Sequence, residues 1–149
     1  MFGLTAHYAG STEDVSTTKD GNILNLEGRL NISGVSFALG YVETDKDGGV
    51  GSISAWGDSI NPMDDGTNVY GTNAETFYGK IGYTIGSLGL TALYSDTDYG
   101  TNSDTDELNL IASYAFTDEL SASVTYVDYD DTATANDYDK VYASVTYAF

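Results

Sequence analysis

The chain of 149 residues carries 23 acidic against 5 basic side chains, a net charge of −18, with one proline, 17 glycines, 13 tyrosines and no cysteine. Such a balance leaves no clustered Lys and Arg for a nucleic acid, and the lack of cysteine removes disulfides and thiolate metal sites. No run of about 18 apolar residues occurs, which excludes a transmembrane helix.

Phe2 to Ala9 alternates Phe2, Leu4, Ala6 and Tyr8 against Gly3, Thr5, His7 and Ala9, a period of two that predicts a strand. A polar loop from Gly10 to Asn22 follows. Leu24, Leu26, Gly28, Leu30 and Ile32 then alternate with Asn25, Glu27, Arg29 and Asn31, and Ser33-Gly34 reads as a hairpin turn. The third strand sets Val35, Phe37, Leu39 and Tyr41 against Ser36, Ala38, Gly40 and Val42. About 45–74 is the longest irregular stretch, with the only Trp (Trp56) and the only Pro (Pro62). Loops of that length are usually functional or disordered.

The fourth strand sets Phe77, Gly79, Ile81, Tyr83 and Ile85 against Tyr78, Lys80, Gly82 and Thr84, and turns at Gly86-Ser87. The fifth sets Leu88, Leu90, Ala92 and Tyr94 against Gly89, Thr91, Leu93 and Ser95, before an acidic loop from Asp96 to Asp106. The sixth sets Leu108, Leu110, Ala112, Tyr114 and Phe116 against Asn109, Ile111, Ser113 and Ala115, and turns at Thr117 to Glu119. The seventh sets Leu120, Ala122, Val124 and Tyr126 against Ser121, Ser123, Thr125 and Val127, before a loop from Asp128 to Asp139. The last strand counts back from Phe149 through Tyr147, Val145, Ala143 and Val141, against Ala148, Thr146, Ser144, Tyr142 and Lys140.

Short turns at one end and long loops at the other predict an all-β, antiparallel up-and-down barrel in a single domain, 1–149, crossing an outer membrane. Its eight strands form either a closed small barrel or part of a larger one. The alternative is a soluble barrel with the apolar face inside. Against it, the polar face has only Glu27, Arg29 and Lys80 as mid-strand charges, a poor coat for a soluble protein. The apolar face is also banded by aromatics: Phe2, Tyr83, Phe116, Tyr147 and Phe149 at the short-turn end, Tyr8, Tyr41, Phe77, Tyr94 and Tyr126 at the long-loop end. These read as lipid-facing girdles. Glu43, Asp96 and Asp128 follow Tyr41, Tyr94 and Tyr126 by two residues, while Glu75, Asp106 and Asp139 open the neighbouring strands on the same parity. Charge thus begins where lipid is expected to end. On this reading Leu26→Arg and Val124→Arg should impair folding more than Asn25→Arg and Thr125→Arg. Met1 runs straight into strand-like sequence without a basic-then-apolar leader. The expectation is a mature, trimmed or partial chain of a Gram-negative cell envelope.

The terminal Tyr-Ala-Phe resembles the C-terminal strand that the barrel-insertion machinery reads. With Asn25-Leu-Glu-Gly-Arg-Leu30, and Trp56-Gly-Asp-Ser-Ile-Asn-Pro-Met-Asp-Asp-Gly66 running into Glu75-Thr-Phe-Tyr78, the chain is similar to the C-terminal half of the major porins of Epsilonproteobacteria. That resemblance implies about twice as many strands, a homotrimer, passage of small hydrophilic solutes, and a long loop folded into the lumen. The expected surroundings are outer-membrane lipid and lipopolysaccharide. A small inward set (Gly3, Ala38, Gly40, Gly82, Gly89, Ser121, Ser123, Ser144) suits a wide aqueous lumen. A narrow interior would be filled by His7, Glu27, Arg29, Tyr78, Lys80 and Tyr142.

The expected pore-lining residues are Glu27, Arg29, Lys80, Tyr78 and Tyr142. Their charges either set ion selectivity by a transverse field or satisfy one another as an internal salt-bridge cluster. Asp58, Asp64 and Asp65 belong either to a constriction or to an external loop. No cofactor is expected. A weakly bound divalent cation would use Asp45 and Asp47, but Asp45-Lys-Asp-Gly48 is too short for a calcium loop. His7, with Ser11 and Asp14 nearby, is a weak hint of a lipid-modifying enzyme. The function read from the sequence is passive diffusion of small hydrophilic solutes and ions, with cations preferred because the acidic residues gather at the outer mouth. The rival reading is a non-conducting structural or adhesion barrel.

Overall fold

A computed structural model describes residues 1–53, 61–64, 69–100, 104–132 and 136–149. Its regular elements are strands: β1 (Phe2–Ser11), β2 (Gly21–Ile32), β3 (Val35–Thr44), β4 (Glu75–Ile85), β5 (Leu88–Asp98), β6 (Thr105–Ala115), β7 (Leu120–Asp131) and β8 (Tyr138–Tyr147). They form one 8-stranded sheet in chain order. Every neighbouring pair is antiparallel. The β2–β3 turn has Ser33 at φ 49° and Gly34 at φ 83°. Positive φ at both central positions gives a turn whose twist matches the flanking strands.

Several strands outrun the sequence reading. β5 continues through Asp96 to Asp98, and β7 through Asp128 to Asp131. The acidic residues were expected in loops, yet their backbones stay in the ladder. Side-chain charge marks where apolar surroundings end, whereas backbone pairing is indifferent to it. At the C-terminus the order reverses. β8 stops at Tyr147, with only the Ala148 N–H bond to the Glu119 carbonyl (2.9 Å) beyond it.

Burial is inverted relative to a soluble sheet. On the apolar parity Leu4, Leu39, Phe77, Val141 and Val145 are 61–74% exposed. On the other parity Ile23, Val42, Thr76, Thr97, Glu107, Asn109 and Val127 are fully buried. The cover comes from the β3–β4 connection. Val50, Ile53, Met63 and Val69 pack against Ile23, Val42, Tyr78 and Leu93 of the sheet. Backbone bonds hold its ends: Asn22 N–H to Gly49 O (2.9 Å), Asn73 N–H to Asp45 O (3.0 Å) and Thr44 N–H to Ala74 O (3.0 Å). Asn25 and Thr125, expected to accept charge on a wet wall, are instead buried at 3% and 4% exposure. An arginine there would have to displace packed neighbours.

At the long-connection end the apolar face closes on a rim of tyrosine and carboxylate. Tyr41, Tyr94 and Tyr126 donate their hydroxyls to Glu43 (3.1 Å), Asp106 (2.5 Å) and Asp139 (2.5 Å). The Tyr41 and Phe77 rings pack with centroids 4.7 Å apart. β1 and β8 are the two edges of the sheet, and β8 is exposed along both faces.

Candidate functional site

The polar face holds a charged cluster built by register. Cross-strand partners place Glu27 beside Gly40 and Gly40 beside Tyr78, with Arg29, Ala38 and Lys80 aligned in the next row. A Cβ on Gly40 would overlap the Tyr78 ring, so the glycine lets the ring lie flat across β3. Spanning that strand, the Tyr78 hydroxyl donates to Glu27 Oε2 at 2.8 Å. The other carboxylate oxygen, Oε1, receives Arg29 Nε. Glu27 is therefore held by two donors on one wall. A cavity of about 290 Å³ opens beside it, lined by Glu27, Arg29, Asn31, Ser36, Phe37, Ala38 and Lys80. Arg29 and Glu27 form an ion pair, and Lys80 stands in the same lining.

The same row continues from Lys80 through Leu93, Asn109 and Val127 to Lys140. Sequence reading left Lys140 out of the expected pore-lining set and missed this alignment. The only available signal was its shared parity with Tyr142. Tyr142 itself stands apart from the Glu27 cluster, on β8, with the Lys140 ammonium 5.4 Å from its ring centroid.

Among the loop acids, Asp64 lies on the polar face, where its N–H donates to Asn109 Oδ1 at 3.0 Å. Asp58, Asp65 and Trp56 fall outside the described residues. Asp45 is taken up by its own turn, because Oδ1 accepts the Asp47 and Gly48 N–H groups, each at 2.8 Å. The Gly48 bond, then the Asp47 bond, hold the carboxyl below its ordinary pKa. Asp47 is exposed. Among the described residues, no three His, Asp or Glu side chains are grouped to hold a metal ion. His7 faces the polar parity opposite Asn25, and its Nδ1 is buried without a hydrogen-bond partner. Ser11 lies four residues along the same strand, about 13 Å away by strand rise, too far for direct proton transfer.

The sheet with its apolar face outward is similar to that of a solved barrel. It resembles OccAB4 of Acinetobacter baumannii, a β-barrel porin, with a TM-score of 0.75 at 20% identity. The match takes in 98% of this chain and 41% of OccAB4, so the chain spans about two-fifths of that protein's length. At this identity the likeness carries the fold alone. No family model matches the sequence, and no curated protein matches it.

Proposed function

We propose that the chain is a segment of an outer-membrane porin wall, passing small hydrophilic solutes and ions by diffusion. The observation that carries this reading is the inverted burial: large apolar side chains exposed on one face, and Glu27, Arg29 and Lys80 around a cavity on the other. Exposed apolar surface of that extent needs hydrocarbon around it. The likeness to OccAB4 supports the same architecture. The Trp56 to Gly66 stretch and the terminal Tyr-Ala-Phe favour a protein like the major porins of Epsilonproteobacteria, trimeric, inserted through its C-terminal strand and surrounded by lipopolysaccharide.

The channel prefers cations. Acidic residues outnumber basic ones 23 to 5, and Asp96, Asp98, Asp104, Asp106, Asp128, Asp130, Asp131, Asp137 and Asp139 crowd one end of the sheet. Their summed potential concentrates cations at that mouth, within a Debye length of about 10 Å at 0.1 M salt. Reversal potentials in a potassium chloride gradient across a planar bilayer test this. Cation preference that weakens as salt rises is expected, and anion preference would overturn it. A folded barrel that never conducts would favour a structural or adhesive barrel, for which the apolar packing beneath the β3–β4 connection is the supporting feature.

A further inference from the structure

We infer that Asn109 is the positioning residue that fixes the far part of the β3–β4 connection on the polar face, and thereby the width of the passage beside it. The first half stands on geometry, and the second rests on the porin reading. Asn109 is fully buried in β6. Its Oδ1 accepts the Asp64 N–H at 3.0 Å, and its Nδ2 donates to Glu107 Oε1 at 2.7 Å. A carboxamide can accept from the connection and donate to the wall at once. A carboxylate lacks the donor, and an apolar side chain lacks both.

The bond also lies far from the two ends of the connection. Among the described residues, hydrogen bonds at Gly49, Ser52, Gly71, Asn73 and Ala74 tie the two ends of the connection to β2, β3, the loops after β1 and β5, and its own turns. Asn61 to Asp64 is a described stretch between them. Met63 N–H donates to Asn61 Oδ1 (2.9 Å), and the Met63 side chain is buried. From that short turn the Asp64 amide reaches past β4 and β5 to β6, a partner 45 residues away in sequence. Glu107, also fully buried, fixes the amide orientation from below.

The test reads hydrogen-exchange protection at the Asp64 amide in the full chain folded in detergent, together with single-channel current. Losing one net hydrogen bond corresponds to about tenfold in the local opening equilibrium. Asn109→Leu, close in volume, should lower Asp64 protection by about tenfold and add current fluctuations. Asn109→Asp, which loses the Nδ2 donor to Glu107 Oε1, should do the same. Protection unchanged in Asn109→Leu or in Asn109→Asp would overturn the assignment. A chain with the expected exchange pattern but no current would uphold the anchor and defeat the porin reading instead.

Discussion

At Gly40, one missing side chain decides what the charged cluster can be. The Tyr78 ring occupies the space that a Cβ would fill, and its hydroxyl reaches Glu27 only by crossing that spot. Gly40→Ala should therefore expel the ring and break the Tyr78–Glu27 bond. The expected cost is about 1–3 kcal/mol, as for other overpacked sites. Tyr78→Ala removes the clash, so Gly40→Ala should cost little in that background. Equilibrium unfolding of the four chains in one lipid system measures the coupling. Additive costs would mean that the ring does not lie over Gly40 in solution. Arg29 and Lys80 were identifiable from sequence as charges on the polar face, because parity alone fixes the face. The crossing of Tyr78 over Gly40 was not, since it depends on which residue sits opposite which, and register is a property of two strands.

Along a single strand, adjacent residues test the two faces at nearly one depth. Val124 is 48% exposed on the apolar parity. Ser123, beside it, bonds Ser144 at 2.9 Å on the polar parity. Val124→Arg should lower stability in lipid by about 2–4 kcal/mol, the cost of a basic side chain facing mid-bilayer. Ser123→Arg should lose little beyond the Ser144 hydrogen bond. Urea titration in lipid vesicles compares them, and equal losses would reverse the assignment of faces. The strands themselves were legible, because eight alternating runs bounded by turn residues are a dense signal. Their ends were not, as Asp96 to Asp98 and Asp128 to Asp131 show. The landing site of the β3–β4 connection was written in the sequence but went unread. Ile23, Val42, Leu93 and Val127 are apolar residues on the polar parity, and three of them lie in the core that the connection completes. Asn25 and Thr125 are buried on that same face, which is why they make poor hosts for a charge.

Over the whole molecule, the decisive feature is the pair of free edges. Among the described residues β1 pairs only with β2 and β8 only with β7, leaving two ladders of N–H and C=O groups open. In hydrocarbon each unsatisfied backbone group costs several kcal/mol, so such edges cannot persist there. β1 and β8 run in opposite directions, because they are separated by an odd number of antiparallel pairings. The edge of β8 can therefore accept β1 of a second copy in an antiparallel ladder. In a preparation of this chain alone, the available strands are its own β1 and those of other copies. A closed barrel of eight strands has an interior just wide enough for side chains, and here Val50, Ile53, Met63 and Val69 of the connection also pack on the polar face. Light scattering in detergent micelles should accordingly find at least two chains per folded particle, falling apart and unfolding together on dilution. A folded, protease-resistant particle with one chain would mean that β8 has closed onto β1, and the sheet would then be a complete small barrel.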